Sequence, residues 1–274
     1  MEPAERAANG EPTGAVCMER RIRAGRSSGA TQSECGMACL EAIWRQAKAD
    51  LVIRGRKGEV DPFLWEHSVR VARAATMIAG LPDVSARPVD GVALTVAALY
   101  HDAGWVVQHR EGLWHASEIL SRATSDLQRE LAAAFLEERI GGMLSVRSRE
   151  TAVVTVRRCG EREAGIPEAQ ILAEAVALDG IGIMAFWQTV RRCTCEGKGI
   201  RSVIDTWKRQ KEYHFWEARV ADAFRFPCVR DLACRRLQRF AAFMDELERQ
   251  HAGDDLAQLP IRLNGSILEH LPIT

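Results

Sequence analysis

His101 and Asp102 are adjacent, and a third residue of metal-binding type, His67, precedes them by 34 positions. Imidazole nitrogens and a carboxylate oxygen form a donor set that suits a divalent ion, with Mn, Fe, Zn, Co and Mg as the candidates. A divalent ion lowers the pKa of a water it binds, so hydroxide becomes available near neutral pH. The chemistry these three residues point to is therefore metal-assisted hydrolysis.

Two helices must position them. Val92-Ala-Leu-Thr-Val-Ala-Ala-Leu-Tyr-His-Asp-Ala-Gly104 is apolar up to the pair and breaks at glycine. His101 and Asp102 thus sit where a core helix emerges, able to face a cavity and still be held rigidly. Upstream, Asp61-Pro62 is a helix start signal, a capping carboxylate followed by proline. In the segment that follows, Phe63, His67, Val71, Ala75 and Ile78 recur at spacings of three and four, on one face. His67 therefore lies on the buried stripe. A lone histidine there is more often a hydrogen-bonded core residue, but beside His101-Asp102 the pattern favours a ligand.

Trp65-Glu-His-Ser-Val-Arg-Val-Ala72, Ala98-Leu-Tyr-His-Asp-Ala-Gly104 and Leu172-Ala-Glu-Ala-Val-Ala-Leu-Asp-Gly-Ile-Gly182 resemble, in order and spacing, successive motifs of the HD superfamily of metal-dependent phosphohydrolases. The resemblance covers about residues 40 to 190 and implies an all-α helical bundle. It also implies a small phosphorylated substrate, a phosphate ester of which nucleotides are one class. In that family a histidine, the His-Asp pair and a distal aspartate converge on metal, so His67, His101 and Asp102 match as metal ligands, with His101 and Asp102 as the catalytic pair. The family's distal ligand position falls on Val176, which cannot bind metal. Asp179, one helical turn along, is the candidate replacement, or else a carboxylate that orients a ligand or caps a helix. Glu174 points elsewhere and ranks below it.

Other positions depart from the family as well. Relatives commonly carry a cation where Trp105 stands. His115 matches the first additional histidine of two-metal relatives, whereas Arg157, Arg158 and Cys159 occupy the region of the second. Arg70, one turn beyond His67, could contact phosphate, although a surface ion pair is the commoner use. Two rival functions follow from these departures: a noncatalytic scaffold that kept the bundle and lost the metal, and an HD-like diiron oxygenase. The oxygenase needs more histidine and carboxylate ligands than this chain supplies.

Composition sets the outer limits. The 274 residues are 47% hydrophobic and 27% charged, enough for a core and a wettable surface. Lys and Arg number 37 against 37 Asp and Glu, so no global field recruits nucleic acid. No run of 18 uncharged apolar residues predicts a membrane span, and no secretory signal precedes the eight cysteines, so reduced, mostly buried thiols in a cytoplasmic protein are expected. Zinc knuckles of the Cys-x-x-Cys type are absent. Oligomeric state is not legible.

The first 32 residues read as a disordered tail, with Met18 an alternative start. Residues 33–190 read as the metal-binding helical domain, 191–250 as a helical extension and 251–274 as a second tail. Helices are expected over 36–53, 62–79, 90–103, 115–121, 126–140, 148–158, 168–190, 200–224 and 229–250, separated by glycine and proline turns. The extension contains Trp207-Lys-Arg-Gln-Lys-Glu-Tyr-His-Phe-Trp-Glu-Ala-Arg219. Lys208, Lys211, His214 or Arg219 could reach the site from there. Packing is the alternative, with Trp207, Phe215 and Ala218 on the buried side.

Overall fold

A computed structural model gives the fold and describes residues 39–55, 58–161 and 165–258. The tail expected over residues 1–32 and the end of the chain from residue 259 lie outside the described residues. The structure is all-α apart from one short strand pair.

Helix α1 runs through residues 39–51, and α2 (Phe63–Ala79) and a single turn, α3 (Pro82–Ser85), follow it. The central element is α4 (Gly91–Tyr100). Seven of its ten residues are buried, which is why the segment is apolar on every side. Around it pack α2, α6 (Asp126–Ile140), α7 (Val146–Arg158) and α8 (Pro167–Asp179). Both ends of α4 are pinned. At the start, the Asp90 carboxylate accepts from the backbone N–H groups of Val92 and Ala93, at 3.1 and 2.9 Å. The Asp90 N–H donates to Glu168, tying this end to the start of α8. At the other end the Tyr100 hydroxyl donates to Asp50 of α1 at 3.0 Å, and Arg139 donates to the same carboxylate. Burial and the Asp50 charge push the Tyr100 pKa up, so its proton stays in that bond. The turn carrying His101 and Asp102 thus begins from a fixed point.

The chain then enters α5 (Gly104–Arg110), in a stretch where no helix was expected. A side chain at Gly104 would overlap the backbone carbonyl of Gln128, so only glycine lets α5 lie this close to α6.

Several expected elements differ from the observed ones. Residues 53–54 and 60–61 form a two-residue antiparallel pair, with Ile53 opposite Asp61, too short to leave an alternating pattern. The helix expected over 115–121 is only a 3-10 turn at Ala116–Glu118, and Leu120, at φ 60°, prevents its continuation. The long helix expected over 168–190 is broken. α8 ends at Asp179, Gly182 takes φ 95°, and α9 (Ile183–Cys195) leaves at 70°. The boundary drawn at residue 190 therefore falls inside α9.

The segment 200–224 is likewise two helices, α10 (Ile200–Glu212) and α11 (Phe215–Ala223), separated by His214 at φ 51°. That break shifts the helical phase. Trp216 and Val220 are buried, whereas the expected Phe215 and Ala218 are exposed. Trp216 packs with Trp207 and with Phe240 of α12 (Pro227–Ala252).

Six cysteines lie among the described residues and all are free. The expectation of mostly buried thiols is corrected for Cys195, Cys228 and Cys234, which are exposed. No single helix among the described residues is long and apolar enough to cross a membrane.

Candidate metal centre

His67 comes from the buried face of α2, and His101 and Asp102 from the turn that follows α4. All three side chains are buried. The Nε2 atoms of the two histidines are 3.2 Å apart, and Asp102 Oδ2 lies 3.2 Å from His67 Nε2 and 3.1 Å from His101 Nε2. Nitrogen and oxygen ligands sit about 2.0–2.2 Å from a divalent ion, which puts neighbouring ligand atoms about 3.0–3.5 Å apart. The three atoms fit that spacing, and among the described residues they form the one histidine, cysteine and carboxylate group tight enough to hold an ion.

Neighbours fix which atom of each residue faces the others. His101 Nδ1 lies 2.9 Å from the Ala98 carbonyl and donates its proton there, so Nε2 carries the lone pair toward the cluster. His67 Nδ1 lies 2.8 Å from Asp179 Oδ2, a carboxylate–histidine pair of the kind that orients metal ligands. Arg70 donates to both oxygens of Asp179, through Nε at 2.6 Å and Nη2 at 3.1 Å. On the other side the Thr124 hydroxyl donates to Asp102 Oδ1 at 2.6 Å and accepts from the buried Trp105 indole N–H at 3.1 Å. Trp105 therefore faces the core and holds Thr124 in place.

The electrostatics follow from this packing. Burial opposes a charge on His67, but hydrogen bonds to Asp102 and Asp179 and their charges outweigh it and raise its pKa to about 9. Burial also opposes charge on Asp102, yet the two histidines hold its carboxyl well below the usual range. For Asp179 the same opposition is overcome by His67 and Arg70, which lower its pKa to about 2. Without metal at neutral pH, His67 is an imidazolium between two carboxylates.

A cavity of about 400 Å³ opens on the cluster. Four arginines line it: Arg122, Arg129, Arg192 and Arg219. Among the described residues, Asp102 is the sole carboxylate in that lining. Two of the guanidiniums lie over glycines. A Cβ at Gly160 would come within 2.5 Å of Arg129 Cζ, and one at Gly180 within 2.6 Å of Arg219 Nη2. Arg219 has no ion-pair partner among the described residues, and its burial lowers its pKa. Among the cations proposed for this role from the extension, Lys208 and Lys211 instead pair with Glu248 and Asp245 of α12.

Residues 64–179 match the family model described as HD domain. The chain carries an HD domain. Its fold is similar to the crystal structure of Bacillus subtilis YpgQ in complex with ADP. The TM-score is 0.50 at 15% identity, over 77% of this chain and 97% of that one. No curated protein matches the sequence. HD domains bind divalent metals, and the cluster of His67, His101 and Asp102 is the part of this HD domain with the donor set to do so.

The remaining expected site residues lie around this HD domain in different roles. Asp179 sits behind the His67 ring, not among the clustered donor atoms, because α8 ends there and its last side chain meets Nδ1. Val176, where the resemblance leads a ligand to be expected, lines the cavity. His115 caps the 3-10 turn, bonding to Ser117 and lining a separate cavity. His214 is exposed at the α10–α11 break.

Glu174 faces away from the metal centre and accepts from the backbone N–H groups of Arg225 and Phe226, at 2.7 and 3.2 Å. It fastens the turn before α12 onto α8, and burial raises its pKa. Glu174→Ala strands two N–H groups and should destabilise the fold by roughly 2 kcal/mol. Denaturant melts should show that loss, with metal affinity unchanged.

Of the cavity arginines, Arg219 is the one the sequence offers as able to reach the site, whereas Arg122, Arg129 and Arg192 escape it. Helical periodicity marks them only as solvated cations, and no local pattern says which ones turn inward. The loop carrying Arg122 and Thr124 was partly read as helix.

Proposed function

We propose that the chain is a metal-dependent phosphohydrolase that cleaves a phosphate ester, with a nucleotide as the substrate class. The observation that carries this reading is the set of four arginines around a cavity floored by His67, His101 and Asp102. Guanidinium groups match phosphate oxygens in geometry and charge. Phe215 and Trp216 add aromatic surface to the same cavity, which suits a base. The ADP bound to YpgQ supports a phosphorylated ligand of this kind.

His67 Nε2, His101 Nε2 and Asp102 Oδ2 would hold the ion. A bound divalent ion would supply a water acidified enough to act as hydroxide near neutral pH. Asp179 keeps the proton on His67 Nδ1, so Nε2 stays turned to the cavity. Thr124 occupies Asp102 Oδ1 and leaves Oδ2 to the histidines. Arg219, half-buried and without an ion pair among the described residues, receives the phosphate charge and orients the ester against the cluster. Removing it should raise KM by 10- to 100-fold, since hydrogen bonds between charged groups contribute about 1.5–3 kcal/mol. The KM of Arg219→Ala against kcat is the measurement.

The test of the whole reading is a screen of nucleoside mono-, di- and triphosphates and sugar phosphates with Mn, Co, Ni, Fe or Mg. Phosphate or pyrophosphate release with at least one metal is expected. The scaffold reading rests on Val176, and it predicts no bound ion after purification without chelator and no turnover with any metal. Two irons per chain would point to an oxygenase.

Proton competition gives an independent check. The cluster binds metal through deprotonated His67, and below about pH 9 the protonated form dominates in the metal-free protein. Affinity for Mn should therefore rise about tenfold per pH unit between pH 6.5 and 8.5, with a proton released on binding. Calorimetry in buffers of different ionisation heat reads both. A flat profile would mean that metal does not displace a proton from His67.

A further inference from the structure

A second cavity, of about 720 Å³, lies behind the metal centre, between α2, the α8–α9 turn and the first half of α12. It shares no lining residue with the cavity that opens on His67 and Asp102. Ile78, Leu81, Leu178, Val229 and Leu232 give it apolar walls. Met77 and Ile183, 74% and 51% exposed, leave apolar surface open at its mouth. Its volume is in the range of small-molecule sites, roughly 300–1,000 Å³. Methionines such as Met77 and Met184 adapt their shape to an irregular occupant.

The charges around this apolar space are mostly positive. Arg70, Arg73, Arg236 and Arg239 line it, and Asp179 is its sole carboxylate among the described residues. Asp179 is already shared between His67 and Arg70, so it neutralises neither Arg73 nor Arg239. Arg236 donates to the Leu178 carbonyl at 2.6 Å. Arg73 and Arg239 are exposed and have no ion pair among the described residues. An apolar interior with two uncommitted guanidiniums is complementary to an apolar chain ending in an anion. A neutral hydrocarbon would leave the cations unused, and a free inorganic anion would leave the walls wet.

We propose that this cavity binds a free medium-chain fatty carboxylate, with the chain between α2 and α12 and the carboxylate at Arg73 and Arg239. The proposal does not rest on the phosphohydrolase reading, because Arg73 and Arg239 make no contact with the metal centre and the proposal is read by binding alone.

Calorimetry of the full chain with hexanoate, octanoate and decanoate tests it. One saturable site is expected, with affinity rising roughly threefold or more for each added methylene. The double variant Arg73→Glu/Arg239→Glu should weaken decanoate binding at least tenfold while circular dichroism stays unchanged, both side chains being exposed. Ile183→Asp, a change at the mouth, should weaken it as well. Decyltrimethylammonium, with an equivalent chain and the opposite charge, should bind at least tenfold more weakly than decanoate. Absence of saturable decanoate binding would overturn the proposal, as would equal binding of the cationic amphiphile or full binding by the double variant. Adsorption to phosphatidylglycerol vesicles without binding of monomeric decanoate would make this face a membrane contact and overturn it too. Metal-dependent turnover, measured on the same samples, fails or succeeds independently of these results.

Discussion

Asp102→Ala is expected to abolish turnover and to weaken metal binding by at least about 100-fold. Altering residues that merely orient a metal ligand already costs 10- to 100-fold in affinity, and Asp102 is itself one of three clustered donors. The substitution removes the only carboxylate among the described residues of the cavity and leaves two imidazoles beside four arginines. It also strips His67 of one of the two carboxylates that hold its pKa near 9. The Thr124 hydroxyl loses its acceptor at the same time. These effects act in one direction, so the loss should exceed that of Arg219→Ala, which removes a contact to substrate and leaves the donor set whole. The measurement is Mn calorimetry beside steady-state rates, with circular dichroism to confirm folding. Activity that survives the substitution would place the chemistry elsewhere in the molecule.

The convergence of His67, His101 and Asp102 was legible because each sits on a strong local pattern. The three-and-four spacing of α2 puts His67 on the face that meets α4, and the uninterrupted apolar run of α4 requires that it be surrounded. Once both helices are in the core, the end of one and the first turns of the other must approach. Asp90 is a further local signal, capping α4 as its residue type predicts.

What escaped was decided by tertiary structure. The breaks at Leu120 and His214 depend on positive φ angles, which leucine seldom takes and histidine takes only in a minority of cases, so residue type gave little warning. Gly182 does carry such a signal, but the apolar pattern on both sides of it reads as one continuous helix. Asp179 shows the same limit at the site. Spacing placed it near the face of Val176, but it is the last residue of α8 and meets His67 from behind. The arginine ring depends on vacancies opposite Gly160 and Gly180, which are visible only when the helices are packed.

Val176→Asp should tighten metal binding by 10- to 100-fold and raise kcat/KM. Val176 lines the cavity beside His67, at the position where HD relatives are expected to carry their distal ligand. A carboxylate there would add a fourth donor to the three already clustered. Two electrostatic effects compete in the metal-free protein. A new half-buried carboxylate repels Asp102, but imidazolium His67 and Arg219, which has no ion pair among the described residues, attract it, so the fold should tolerate the charge. With metal the balance shifts decisively, because the ion itself becomes the partner of both carboxylates. The thermal midpoint should therefore change little without metal and rise more than wild type when Mn is added, since a ligand stabilises the fold according to its concentration relative to Kd. Val176→Asn, similar in size but neutral, separates added charge from altered packing and should recover only a small part of the gain. Equal Mn affinity in wild type and Val176→Asp, with both proteins folded, would show that the three-residue cluster is complete without this position.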